Sequence, residues 1–276
     1  MAEVSRIAYY YLTRDLTSAF TKDPRVQHLP LVGGSPLSVF TIVICYVLFV
    51  KKIGPQWMEN RKPFDMKFLI QLHNISQILL NGYAFTVGIL NSYTQNEFDM
   101  TCQPVNFTDT SPTTMRLLQA SYIYYITKYL DLFDTIFFVL RKKDNQISFL
   151  HVYHHAIMVL AVWLYMKFFF GSHPTMLGIL NSLVHVIMYT YYLVSSMDLK
   201  INLIPWKKRI TQIQILQFIY LIFHFAMPLI NNWCNLTFNF FNTVAIIQNL
   251  FMTSMFIEFY YKAYVKKRTN KTKKLE

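Results

Sequence analysis

The sequence predicts an all-α polytopic membrane protein whose seven transmembrane helices enclose a central chamber. Three observations predict it. Of 276 residues, 54% are hydrophobic, 17% aromatic and only 14% charged, a balance too apolar for an ordinary soluble domain. Seven stretches reach the roughly 20 apolar residues needed to cross a hydrocarbon core of about 30 Å at about 1.5 Å per residue. Finally, ionisable and amide side chains inside four of those stretches fall at one depth.

The elements follow in chain order. Residues 1–30 carry Arg6, Arg14, Asp15, Lys22, Asp23 and Arg25 and lack an apolar core or small-residue cleavage site, so no cleaved signal peptide is expected. The first span is expected over 31–50, with Gly33, Gly34 and Pro36 at its start. The others are expected over 68–90, 117–139, 147–170, 175–197, 210–230 and 238–261. The spans form one domain, 31–261, followed by a basic tail over 262–276. Alternating ten-residue runs, the mark of a membrane barrel, do not occur.

Charge orients the bundle. Outside the spans, 19 Lys and Arg residues fall on one side and five on the other. The positive side is cytosolic, which puts the N-terminus in the lumen and the C-terminus in the cytosol. The net charge of +12 is thereby a membrane-facing fringe and not a nucleic-acid surface. On the lumenal side, Asn106-Phe107-Thr108 is a glycosylation acceptor sequence. Asn235-Leu236-Thr237 lies too near a span end to be as good a one. Cys102 and Cys234 sit on two lumenal loops, where an oxidising compartment would join them; Cys45 lies in the first span. The terminal Lys273-Lys274-Leu275-Glu276 resembles a dilysine retrieval signal, which predicts the endoplasmic reticulum membrane.

The intramembrane polar residues are the functional signal. Span three carries Lys128, Asp131, Asp134 and Thr135, of which Lys128, Asp131 and Thr135 share a face by spacing. Span four opens with HVYHH, placing His151, His154 and His155 on one face. Span five carries Asn181, His185, Tyr189 and Tyr192, and span six opens with Thr211, Gln214 and Gln217. Given the alternating chain direction, all four clusters reach the cytosolic half or the midplane. Any one of them would serve as ordinary helix packing, because amides and hydroxyls join helices. Together they line a polar chamber. His73, in the LHNISQ run of span two, lines the wall at most, and His28, His173 and His224 fall outside the cluster. Clustered imidazoles can ligate metal, carry protons or act as nucleophiles. One box plus His185 is short of ligands for two metals, so a di-iron oxygenase ranks second. A seven-span receptor or transporter ranks third.

The motifs GPQWMENRKPF (54–64), KYLDLFDTIFFVLRKK (128–143), HVYHH (151–155), HVIMYTYY (185–192) and TQIQILQ (211–217) carry a resemblance across nearly the whole chain. It resembles the ELO family of very-long-chain fatty acid elongases, the membrane 3-ketoacyl-CoA synthases. The family's usual Glu is Asp131 here, one methylene shorter, and Glu258 replaces a usual Asn. The resemblance implies a condensation of long-chain acyl-CoA with malonyl-CoA to 3-ketoacyl-CoA, CO2 and CoA, with no bound cofactor and no metal. No cysteine lies near the chamber, so an imidazole is the expected nucleophile: His154, flanked by His151 and His155. Asp134 or Asp131 would orient an imidazole, and His185 and Asn181 would assist proton transfer or polarise an oxygen. The CoA phosphates belong at the cytosolic mouth, near Arg141, Lys143, Lys207, Lys208 and Arg268, with Gln146, Tyr191, Thr211 and Gln214 lining the entrance and Lys128 deeper. The acyl chain would run into an apolar tunnel toward the lumen. Expected partners are membrane lipid and the cycle's reductases and dehydratase. Oligomeric state stays open, a homo-oligomer included.

Overall fold

The computed structural model describes residues 23–96, 98–197, 199, 201–230 and 236–266, with nothing described for the side chains of 236–238. Among the described residues the fold is helical without strands. We number seven long helices: α1 Pro36–Met58, α2 Lys67–Leu90, α3 Pro112–Leu140, α4 Phe149–Phe169, α5 Thr175–Ser196, α6 Ile204–Ile230 and α7 Leu236–Tyr260. Helix α1 contains a π-helical turn over Phe49–Ile53, and a π-helical turn over Tyr261–Lys266 extends α7.

Among the described residues, five segments are long and apolar enough to cross a membrane: α1, α4, α5, α6 and Asn239–Lys266. Helices α2 and α3, at 24 and 29 residues, have the length to span but carry much of the polar interior. The chain is thus a polytopic membrane protein.

Local chemistry sets the helix starts. Ser35 accepts from the Leu37 N–H and Pro36 takes the first helical position, so α1 begins at Pro36 and not at 31. It also continues past residue 50 to Met58, taking up GPQWM, which the sequence reading placed in a loop. Ser111 and Pro112 start α3 five residues before the expected 117 in the same way. Helix α6 likewise begins at Ile204, ahead of the expected 210. Ser148 accepts from the His151 N–H at 3.2 Å, which fixes HVYHH in the first turns of α4.

Six helices close a ring. Their packing order is α2–α3–α4–α7–α6–α5 and back to α2, with the α2–α5 and α6–α7 seams the most extensive and the α4–α7 seam the sparsest. Helix α1 lies outside the ring against α4 and α3. Gly54 permits its close approach to α3: a Cβ there would lie 2.7 Å from Val139 Cγ1.

We call the end holding the α3–α4 turn and the start of α6 the near end, and the other the far end. At the far end, Asp23 pairs with Arg25 at 2.5 Å, and Arg25 lies over the Phe170 ring. Lys167, expected inside a span, is buried there and donates to Gly34 O at 2.9 Å. His173 and His224 stack with ring centroids 3.8 Å apart, each donating its Nε2–H to the other's backbone carbonyl, at 2.8 and 3.1 Å. Burial pushes the His173 imidazole below the usual histidine range. Cys102 is disulfide-bonded and Cys45 is free; Cys234, Asn235 and the terminal lysines lie outside the described residues. Asn106 is exposed, its Oδ1 accepting from the N–H and hydroxyl of Thr108.

Candidate active site

Helix α3 supplies the centre. Lys128 Nζ lies 2.8 Å from Asp131 Oδ2 and donates to Asn181 Oδ1 on α5 at 3.0 Å. It is 3.5 Å from His185 Nδ1 and sits over the Tyr124 ring. Asn181 also accepts from Tyr124 OH at 3.0 Å. A buried charge needs a partner and further hydrogen bonds, and Lys128 has both. Asp131 is equally well held: its Oδ1 accepts from Gln77 Nε2 at 2.6 Å and lies 2.8 Å from Tyr189 OH, while Oδ2 is 3.7 Å from His185 Nδ1.

Asp134, one turn on, faces the same way. Its Oδ1 lies 3.0 Å from His73 Nε2 on α2 and its Oδ2 lies 2.6 Å from Tyr189 OH. Thr135 bonds a different helix: its hydroxyl and Tyr46 OH of the outer helix α1 are 2.7 Å apart. The carboxylates contact His73 and His185, and among the described residues they make no hydrogen bond to the HVYHH rings.

Those rings form the next wall. The His151 and His155 ring centroids are 4.3 Å apart, and those of His154 and His155 are 5.8 Å apart. His154 meets Phe218 of α6 and Phe256 of α7 edge-on, so it faces the inside of the ring. Among the described residues, His151 Nε2 and His154 Nδ1 are buried with no hydrogen-bond partner. Tyr153 points elsewhere and bonds Gln248 of α7 at 2.8 Å.

The entrance residues spread along the near end. Arg141, Lys143 and Gln146 lie at the α3–α4 turn, with Lys143 and Gln146 exposed. Lys207 and Lys208 occupy the first turns of α6, with Lys208 over the Tyr260 ring. Thr211 bonds back to Lys207 O, Gln214 lies 3.7 Å from Met188 Sδ, and Tyr191 is half-buried. Arg268 lies outside the described residues. A separate cavity of about 670 Å³, lined by Trp57, Phe64, Met66 and Phe68 among others, opens near the start of α2, away from the imidazoles.

Sequence reasoning missed the contribution of α2. His73, Gln77 and Asn81 recur at steps of four; His73 and Gln77 bond the α3 carboxylates, and Asn81 bonds Gln77. That stripe was visible in LHNISQILLN. Among the described residues no three His, Cys, Asp or Glu are grouped to hold a metal ion.

The fold and this interior define the class: a polytopic membrane protein with a buried ionic network facing unpartnered imidazoles. Residues 31–272 match the family described as ELO: GNS1/SUR4 family. The chain is 36% identical over 246 residues to very long chain fatty acid elongase 7 of Drosophila melanogaster, covering 89% of this chain and 74% of the relative. It is 36% identical over 245 residues to very long chain fatty acid elongase 7 of Rattus norvegicus, covering 88% and 86%. It is 34% identical over 249 residues to very long chain fatty acid elongase 1 of Homo sapiens, covering 88% and 87%. The chain belongs to the ELO family.

Proposed function

We propose that the chain catalyses the condensing step of fatty acid elongation, as a very-long-chain 3-oxoacyl-CoA synthase. Long-chain acyl-CoA and malonyl-CoA give 3-ketoacyl-CoA, CO2 and CoA. The observation that carries this reading is the pair of nitrogens, His154 Nδ1 and His151 Nε2, buried without a hydrogen-bond partner among the described residues, in a ring that also holds Lys128, Asp131 and His185. A neutral imidazole with a free lone pair is a competent acyl acceptor, and an apolar enclosure protects an acyl-imidazole from hydrolysis. His154 is the nucleophile in this reading. His185, Asn181 and Lys128 stabilise the enolate and thioester oxygens.

All seven long helices span the bilayer, with the near end cytosolic and the far end lumenal in the endoplasmic reticulum. The spread of basic residues supports this orientation. Arg141, Lys143, Lys207, Lys208 and Arg268 then meet the CoA phosphates, and the acyl chain extends toward the far end. Cys102 pairs with Cys234, and Asn106 is a glycosylation acceptor. No cofactor is required by this chemistry.

Purified chain is incubated with carboxyl-labelled malonyl-CoA and a long-chain acyl-CoA. Release of labelled CO2 with a product two carbons longer supports the reading, and no release discards it. Acyl transfer to protein that persists in His154→Ala would move the nucleophile assignment to another side chain, and absence of acyl-protein in the active wild-type chain would leave a histidine acting only as base.

A further inference from the structure

The geometry points to a proton relay, His73–Asp134–Tyr189–Asp131–Lys128–His185, that supplies the proton consumed by the condensation. The inference rests on the condensing reading above. In that reaction the bond from the malonyl carbon to its carboxylate breaks, CO2 leaves, and the electron pair remains as an enolate. The acyl–sulfur bond breaks as the acyl group passes to the His154 imidazole, its pair staying on the CoA sulfur, which takes one proton; the enolate then forms the new carbon–carbon bond to the acyl carbon as the acyl–nitrogen bond breaks and frees the imidazole. The balance is therefore acyl-CoA, malonyl-CoA and one proton in, and 3-ketoacyl-CoA, CO2 and CoA out. A site buried among apolar helices needs a route for that proton.

The contacts make one. His73 Nε2 lies 3.0 Å from Asp134 Oδ1, and Asp134 Oδ2 lies 2.6 Å from Tyr189 OH. Tyr189 OH is 2.8 Å from Asp131 Oδ1, Asp131 Oδ2 is 2.8 Å from Lys128 Nζ, and Lys128 Nζ is 3.5 Å from His185 Nδ1. Tyr189 has a single hydroxyl proton but two carboxylate oxygens within hydrogen-bonding distance. Both contacts become hydrogen bonds only when the group holds one more proton. The three residues thus offer a place for a proton in transit. The two outer members, His73 and Asp134, have the most exposed side chains at 9% and 10%; Tyr189 is fully buried, and Asp131, Lys128 and His185 are 4%, 1% and 6% exposed. His73 lies in the second turn of α2 and Asp134 about two turns before the end of α3, so the outer members are nearer the near end. Each member gives one proton inward and receives one from outside, so the chain returns to its starting state.

His73 and Tyr189 touch no reacting atom in this scheme; they act through Asp134 and Asp131. The test uses the full chain with His73→Phe, His73→Ala and Tyr189→Phe. Phenylalanine at 73 keeps the ring that packs edge-on against Phe137 and Tyr189, so the fold is preserved even where alanine disturbs it. We expect kcat to fall about tenfold or more in all three variants, at the lower end of the usual general acid–base contribution or somewhat below it. KM for acyl-CoA stays unchanged and the solvent deuterium isotope effect on kcat rises. Imidazole in the buffer restores kcat to His73→Ala and not to Tyr189→Phe, whose gap is internal. Full kcat in His73→Phe, or a loss with no isotope change and no imidazole rescue, overturns the relay. Wild-type chain that releases no CO2 overturns the condensing reading instead.

Discussion

Lys128 and Asp131 form an ion pair one turn apart on α3, 2.8 Å between Nζ and Oδ2, with side chains 1% and 4% exposed. Such a pair is costly to halve, because the remaining charge is stranded in an apolar interior; the usual loss is about 3–5 kcal/mol. Lys128→Met and Asp131→Leu should each destabilise the chain by that order. The double variant should be less destabilised than the sum of the singles, since it strands no charge. Unfolding in detergent measures the cycle, and strict additivity would show that the two residues do not support one another.

Asp131→Glu restores the residue usual in the family at this place. The Asp131 carboxylate already accepts from Gln77 at 2.6 Å and lies 2.8 Å from both Tyr189 and Lys128. One more methylene must push one of these contacts aside, at about 1–3 kcal/mol. The charge pair survives, so we expect lower stability with activity retained to within about tenfold, read from CO2 release beside thermal unfolding. A stabilised variant would mean that the shorter side chain is not packed to fit here.

His154 has a buried nitrogen without a hydrogen-bond partner among the described residues. Removing the ring therefore deletes no hydrogen bond at that atom. His154→Gln should lower kcat by at least about 100-fold while costing less stability than Lys128→Met. Equal losses of stability in both variants would give His154 a structural role.

Gly54 marks where α1 crosses α3. In Gly54→Ala the new Cβ would lie 2.7 Å from Val139 Cγ1 and 2.9 Å from Phe49 O. Alanine gains about 1 kcal/mol in helix propensity, but overpacking at these distances costs about 1–3 kcal/mol. A lower melting temperature is expected, with a further drop for Gly54→Leu. A rise for alanine would remove the close-approach explanation.

His173 gives stability a pH dependence. Its folded imidazole titrates below the ordinary value of about 6.5 because it is buried. As pH falls through that ordinary value, the unfolded chain binds the proton first, and stability declines. The contribution is complete above about pH 6.5 and is lost toward the lower folded value. Melting temperatures between about pH 7.5 and 5 should drop more steeply for wild type than for His173→Gln. Parallel curves would assign the pH dependence elsewhere.

Much of the fold was legible because apolar length and charge asymmetry are properties of the chain itself. The segments expected over 68–90, 175–197 and 147–170 correspond closely to α2, α5 and α4. The ends were less legible, since they depend on single residues. Ser111 and Pro112 begin α3 early, and a π-helical turn carries α1 through GPQWM. Spacing along α5 placed Asn181, His185 and Tyr189 correctly on one face, because each step is close to a full turn. It did not foresee that Thr135 bonds Tyr46 on α1. Helical phase says which residues share a side, but not which neighbour occupies that side. His73 and Gln77 were passed over for a related reason. Their stripe has meaning only once α2 is seen to lie beside both α3 and α5.

Mechanically, the ring has two unlike halves. Helices α2, α3 and α5 are riveted by buried charges and amides that cannot slip without abandoning one another. Among the described residues no ion pair rivets α6 or α7 to another helix, and α7 meets α4 along the thinnest joint. The wall beside HVYHH is thus the cheapest to part. Any parting of the ring there would leave the braced side undisturbed.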